Sequence, residues 1–245
     1  MSVRIAVVSG GIGGLGTAIC IAVARAGRRV VALDLPRDEA VERFRHAVGG
    51  LDVAFEPLDV TDFDACNARV QGIVERHGTL DILVNAAGIT RDTTLRKMDK
   101  AQWDAVLDVN LDGVFNLCRP VVDHMVAQGF GRIVNISSVN GQTGQFGQAN
   151  YSAAKAGMHG FTMALAREVA RKGVTVNSIS PGYCETSMVM AIPEDIRAGI
   201  LANVPVGRLG RPEEIARTVE FLTAEDAGFI TGANIPVNGG LFMSF

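Results

Sequence analysis

Arg4-Ile5-Ala6-Val7-Val8-Ser9 runs straight into Gly10-Gly11-Ile12-Gly13-Gly14-Leu15-Gly16: an apolar, β-branched run followed by a glycine-dense turn. Glycine lets a backbone turn tightly and lie close against a pyrophosphate. A helix starting there offers its N–H groups and the positive end of its dipole to the phosphates. Two registers fit, Gly11-x-Gly13-x-x-Gly16 and the wider Gly10-x-x-x-Gly14-x-Gly16. Either is a weak signal alone, but strand before, helix after and an acid further on is the right context for a dinucleotide.

The acid is Asp34, 18 residues after Gly16 at the end of a second apolar run. A carboxylate there can accept from the adenosine ribose hydroxyls and repel a 2′-phosphate, which favours NADH and leaves NADPH as the second choice. Arg37 can soften that repulsion by pairing with a phosphate. The competing reading of Asp34 is an N-cap for the next helix. At the end of the third run stand Asp59 and Val60. Asp59 can hydrogen-bond the adenine amino group or cap a helix beginning near Asp62, and the two roles are compatible.

Further along, short apolar runs alternate with helical patterns. Strands are expected at Arg4–Ser9, Arg29–Asp34, Val53–Leu58, Ile82–Asn85, Gly131–Ser137, Val174–Ser180 and Ile235–Val237. Helices are expected near 15–28, 38–48, 62–77, 101–128, 150–172 and 212–223. The strands are almost wholly apolar, as in a parallel sheet buried on both faces. Alternating strand and helix predicts a Rossmann-type α/β fold, a doubly wound seven-stranded parallel sheet with helices on both faces. No linker divides the chain, so 1–245 reads as one domain. The stretch 183–210, with Pro193, Gly199, Pro205 and Gly207, reads as an irregular or helical excursion placed to act as a substrate lid, against the alternative of an ordinary surface connection.

Bulk properties exclude other classes. A net charge of -3 is too small a bias for nucleic acid or an anionic membrane surface. No apolar stretch approaches membrane-spanning length, and the N-terminus lacks the layout of a signal peptide. Cys20, Cys66, Cys118 and Cys184 are scattered, which suits reduced thiols in a cytoplasm, and the four histidines have no metal-binding spacing. No metal is expected.

The chemistry gathers in the second half. Tyr151-Ser152-Ala153-Ala154-Lys155 places a phenol and an ammonium at i and i+4 on one helix face. The ammonium and an oxidised nicotinamide are both expected to lower the phenol's pKa and suit it to trade a proton with a carbonyl or alcohol oxygen. Ser138, thirteen residues before Tyr151 at a strand end, can hold that oxygen. Asn110 interrupts a helical pattern, a place for a polar task such as holding a water.

The glycine loop, Asn85-Ala86-Ala87-Gly88, Asn110, Ser138, Tyr151-x-x-x-Lys155 and Pro181-Gly182 together resemble the short-chain dehydrogenase/reductase family along essentially the whole chain. The resemblance implies hydride transfer between a nicotinamide and a carbonyl carbon. It implies a catalytic set of Ser138, Tyr151, Lys155 and Asn110, with Asn110 joined to Lys155 through water and Lys155 also on the nicotinamide ribose. Asn85, Ala86, Ala87, Gly88, Pro181 and Gly182 join the cofactor site by the same likeness. Ala86 departs from the family's Asn-Asn-Ala-Gly, which puts one backbone-supporting hydrogen bond in doubt.

The run from Asn135 to Tyr151, with its Gly144-Gln145-Phe146-Gly147-Gln148 core, is similar to the branch that reduces acetoacetyl-CoA to (R)-3-hydroxybutyryl-CoA for polyhydroxyalkanoate synthesis. The sibling branch reduces 3-oxoacyl-acyl-carrier-protein. Gln145, Phe146 and Gln148 lie between Ser138 and Tyr151, so they are expected at the site's mouth, with Tyr183 closing over the acyl group. The bland alternative is that they only shape a loop. Arg91, Arg96 and Lys97, with Asp92 among them, form a basic cluster suited to the phosphates of a CoA thioester, or else a solvated loop. The apolar tail Gly239–Phe245 suggests burial against another subunit, and the family likeness implies a homotetramer.

Overall fold

The computed structural model describes residues 3–243, apart from the side chain of Met188. Its centre is a parallel sheet of seven strands in the order β3-β2-β1-β4-β5-β6-β7. The strands are β1 (Ile5–Ser9), β2 (Arg29–Asp34), β3 (Val53–Pro57), β4 (Ile82–Asn85), β5 (Gly131–Ile136), β6 (Val174–Pro181) and β7 (Asn234–Val237). Each lies within two residues of its expected bounds. β3 stops at Pro57, which has no N–H for the ladder and sits on an edge strand where that costs least.

The order reverses between β1 and β4, whose pairing sets Ser9 beside Asn85. In open α/β sheets the crevice at such a reversal, beyond the strands' C-terminal ends, receives the ligand. Valine and isoleucine side chains alternate across the sheet into two cores. One core gathers Val7, Leu83 and Ile133 against α3 (Phe63–His77), α5 (Gly113–Gln128) and α7 (Ala149–Val169). The other gathers Ala6, Val84 and Val134 against α1 (Gly14–Arg25), α2 (Asp38–Ala47) and α10 (Pro212–Leu222). That is the expected arrangement of helices on both faces.

The expected helix 101–128 is divided. It runs as α4 (Lys100–Leu107), a π-turn at Asp108–Asp112, then α5. The turn carries Asn110, fully buried. A single π-turn inside a helix commonly marks a functional position. A short helix, α6 (Asn140–Thr143), follows β5, and the 183–210 excursion contains α8 (Ser187–Met190) and α9 (Glu194–Ala202). The excursion leaves and returns side by side: Gly210 N donates to Tyr183 O at 2.9 Å and Glu185 N to Gly210 O at 2.8 Å. Among the described residues no helix is long and apolar enough to cross a membrane. All four cysteines are free and buried. Ser244 and Phe245 of the apolar tail lie outside the described residues, and Met243 just before them is 73% exposed.

Candidate active site

The glycine loop is shaped by close packing. A Cβ on Gly16 would fall 2.0 Å from Gly10 O, and one on Gly10, where φ is +64°, would fall 2.6 Å from Ala87 N. Neither position admits a side chain. A Cβ on Gly13 would meet only Gly10 O at 3.3 Å, so this glycine borders open space. Gly13 is the N-cap of α1 and no side chain caps it, which leaves the first-turn N–H groups of Gly14, Leu15 and Gly16 for an anion. The excursion reaches this loop: a Cβ on Gly14 would meet Thr186 Cγ2 at 3.2 Å.

Asp34 is not a helix cap, since α2 begins after Arg37 and has no side-chain cap. Its carboxylate instead accepts from Leu35 N at 2.8 Å and from Ile12 N at 3.3 Å, tying the glycine loop to the end of β2. Burial pushes its pKa above the ordinary carboxylate value, against the pull of those N–H groups and of Arg37. Arg37 was expected to meet a phosphate. Here its guanidinium lies 3.3 Å from Asp34 Oδ1. Asp59 does not cap α3: Asp62 does, accepting from Ala65 N at 2.9 Å, while Asp59 closes a turn with Thr61. A groove of about 570 Å³ beside Leu35, Leu58 and Asp59 gives room at this end. Glycine cradle, uncapped helix and acid together fit a dinucleotide.

The neighbouring strand completes the floor. Asn85 Nδ2 donates to Asn135 Oδ1 at 2.8 Å across β4 and β5. Ser9 Oγ accepts from Ala86 N at 3.2 Å and Ala87 N at 3.4 Å, holding this segment to β1. Val60 is buried, and its carbonyl accepts from Asn116 Nδ2. Gly182, after Pro181, donates its N–H to Val237 O at 3.0 Å.

Ser138, Tyr151 and Lys155 come together at the ends of β5 and α7. Lys155 is buried with one partner, the Ile136 carbonyl at 2.8 Å, and its Nζ lies 5.7 Å from the centre of the Tyr151 ring. Among the described residues no carboxylate pairs with it, and burial pushes its pKa down to about 8. Ser138 Oγ accepts from Asn140 N at 3.1 Å. In the chain alone the phenol's pKa is raised. Burial raises it, Ser138 pulls it down, and Asp92 and Tyr183 add to the rise. Desolvation of the phenolate outweighs the pull of Ser138, and the ammonium sits 5.7 Å from the ring centre.

Asn110 reaches the same place, held at both ends of its amide: its Oδ1 accepts from Ile89 N at 2.8 Å and its Nδ2 donates to Ile89 O at 3.0 Å. A Cβ on Gly88 would fall 3.4 Å from Asn110 Oδ1 and 3.6 Å from Lys155 Nζ, so Gly88 keeps the gap between them open.

At the mouth, Gln145 is exposed and Phe146 is 87% exposed, while Tyr183 is half-buried beside a cleft of about 150 Å³ lined also by Val204, Arg208 and Asn238. Asp92 and Gln148 are brought together but bond each other, Gln148 Nε2 to Asp92 Oδ2 at 2.7 Å. Arg91, Arg96 and Lys97 are exposed, and among the described residues none has an acidic partner. Their loop is fastened to the mouth by Thr93 N donating to Gly147 O at 2.8 Å and by Asn150 Nδ2 donating to Arg91 O at 3.3 Å. Sequence reasoning missed Asn140, the Ile136 carbonyl and Thr186. Only the spacing Ser138-x-Asn140, suited to a hydroxyl accepting from a backbone N–H two residues on, was there to be read.

A dinucleotide cradle and a phenol, ammonium and hydroxyl on one edge of a doubly wound sheet define an NAD(P)-dependent oxidoreductase. A family model described as enoyl-(acyl carrier protein) reductase matches residues 10–242. An acetoacetyl-CoA reductase of Allochromatium vinosum is 57% identical, covering 98% of this chain and 99% of that protein. One of Cupriavidus necator is 53% identical over 99% of this chain and 100% of its own length. The crystal structure of gox2181 superposes with a TM-score of 0.91 at 36% identity, covering 98% of this chain and 96% of that one. The chain belongs to the short-chain dehydrogenase/reductase family.

Proposed function

We propose that this protein reduces acetoacetyl-CoA to (R)-3-hydroxybutyryl-CoA, with NADH preferred over NADPH. The carrying observation is the fastening of the Arg91–Lys97 loop onto the mouth loop between Ser138 and Tyr151 by the Thr93–Gly147 hydrogen bond. The exposed cations of that loop, Arg91, Arg96 and Lys97, support a phosphorylated thioester as the substrate. The names of the two relatives above support the same substrate. The reading extends to a place in polyhydroxyalkanoate synthesis, a cytoplasmic homotetramer, and a 183–210 lid whose Thr186 rests on Gly14.

The chain's own groups divide the work. Because Ser138 Oγ already accepts the Asn140 N–H, its own proton is available for the substrate's carbonyl oxygen. Tyr151, kept protonated by burial, gives its proton to that same oxygen as it becomes an alkoxide. Lys155 holds a positive charge beside the ring and balances the phenolate left behind. Asn110 fixes Ile89 and Gly88 next to Lys155. Gly10, Gly11, Gly13–Gly16, Asp34, Asp59 and Asn85–Gly88 would hold the dinucleotide, with the nicotinamide supplying hydride when bound. Gln145, Phe146, Lys97 and Tyr183 face the thioester.

Initial rates on acetoacetyl-CoA and acetoacetyl-carrier protein test the substrate. A higher kcat/KM for the carrier-protein thioester would move the protein to the sibling activity. Raising ionic strength is expected to increase KM for acetoacetyl-CoA more than for an uncharged 3-oxo ester, because exposed charges are screened over about 10 Å at 0.1 M salt. Equal salt sensitivity removes the basic docking loop.

For the cofactor, a unit charge about 4 Å from a like charge costs about 1 kcal/mol in water and about 4 kcal/mol near a protein surface. A 2′-phosphate beside Asp34 is therefore expected to lower kcat/KM at least about fivefold for NADPH against NADH. A tenfold preference for NADPH, measured the same way, overturns the assignment of Asp34.

A further inference from the structure

Gln148 is the N-cap of α7, the helix that carries Tyr151, yet its side chain caps nothing there. Side chains of Ser, Thr, Asp or Asn suit that position because they reach the free N–H groups of the first turn. The amide of Gln148 is turned sideways instead. Its Nε2 donates to Asp92 Oδ2 at 2.7 Å, and its Oε1 accepts from Asn140 Nδ2 at 2.8 Å. The order of donors is forced. An ionised Asp92 only accepts, so the Gln148 nitrogen must face it, and the Gln148 oxygen must then face the Asn140 nitrogen. Asn140 is buried, and its backbone N–H donates to Ser138 Oγ at 3.1 Å.

The geometry points to Asp92, Gln148 and Asn140 as a hydrogen-bonded relay of positioning residues. The relay sets the Ser138 hydroxyl against the Tyr151 phenol and couples it to the loop of Arg91, Arg96 and Lys97. It gives the two mouth residues a task other than touching substrate, and it brings in Asn140, to which no role had been assigned. The inference rests on the reductase reading in one respect, that the loop beside Asp92 receives the thioester's charged end. A substrate docking on that loop then tightens the hydroxyl that holds its carbonyl oxygen about where the proton must arrive, and misplacement by about 1 Å can cost up to about 10²-fold in rate.

Reversing donor and acceptor tests it. Gln148→Glu sets two carboxylates against each other and breaks the link to Asp92. Adding Asp92→Asn restores it in the opposite sense, with the new amide donating to the new carboxylate and Asn140 still donating to its other oxygen. Net charge in the double variant equals that of the wild type. For Gln148→Glu, kcat on acetoacetyl-CoA is expected to fall about tenfold with KM for NADH within about twofold of wild type, a loss of alignment without loss of cofactor binding. The double variant is expected to recover to within about threefold of wild-type kcat. A single variant that keeps its kcat, or a double variant as slow as the single, overturns the relay. If Gln148→Glu does not fold, Gln148→Met removes both bonds without charge, and unchanged kcat there overturns the relay equally. Wild-type rates separate the two ideas. A wild type that takes only carrier-protein thioesters ends the CoA reading, and the same cycle on that thioester still decides the relay.

Discussion

Replacing Tyr151 by phenylalanine is expected to lower kcat by at least about 10²-fold, the low end of what general acid catalysis contributes. The substitution keeps the ring and its packing against Lys155 and removes one oxygen, so folding and cofactor affinity should be little changed. What disappears is the proton donor facing Ser138. The sequence has two tyrosines, and both lie at this site, which gives the experiment its own control. Tyr183 lines the cleft with Val204, Arg208 and Asn238. Tyr183→Phe is therefore expected to change KM for the thioester more than kcat. Single-turnover rates of NADH oxidation on acetoacetyl-CoA separate chemistry from product release in all three proteins. Near-normal turnover in Tyr151→Phe, or a larger kcat loss in Tyr183→Phe, ends the assignment of the proton donor.

Much of this site was legible because its signals are local. The strand–glycine–helix transition at Val8–Gly16 depends on residues adjacent in the chain, and steric exclusion at Gly10 and Gly16 leaves no second solution. The spacing of Tyr151 and Lys155 is fixed by one helix. What escaped the sequence depends on partners far along the chain. Asn110 was readable as a polar position, but its tie to Ile89, 21 residues away, was not. Asp59 and Asp62 are equally good caps on composition, and backbone geometry chooses Asp62. The Ala86 backbone N–H is held by Ser9, 77 residues earlier on the adjacent strand. Asp92 and Gln148, each a candidate for a substrate contact, hydrogen-bond each other across 56 residues. A pairing rule between i and i+4 counts the ammonium's attraction and not the water stripped from the phenolate, which raises the phenol's pKa in the chain alone.

The same accounting gives Lys155 two pH signatures of opposite sign. Its ammonium is buried against a single carbonyl, with a pKa near 8 in the folded protein against about 10.4 in an unfolded chain. Only the protonated form balances a phenolate, so kcat/KM for reduction, which reports the free enzyme, is expected to fall above about pH 8. Stability moves the other way. Between the two pKa values the unfolded chain binds the proton and the native state does not, so stability rises with pH across that window. The penalty of burying the charge is complete below about pH 8 and is relieved as pH climbs toward 10.4, by about 3 kcal/mol for this group taken alone. Lys155→Met keeps the volume of the side chain and removes the charge. It is expected to lose at least about 10²-fold in kcat/KM, comparable to removing one preorganised electrostatic donor. It is also expected to lose the alkaline rise in stability, while the Ile136 carbonyl, left without its donor, costs roughly 1–3 kcal/mol at every pH. Urea midpoints and kcat/KM, both measured from pH 6 to pH 10.5 on the two proteins, read the signatures together. The buried charge that the reaction uses is then also a standing cost to the fold. A variant whose stability keeps the wild-type pH slope would show that the ammonium is hydrated and not buried, and the electrostatic role assigned to it would go with that slope.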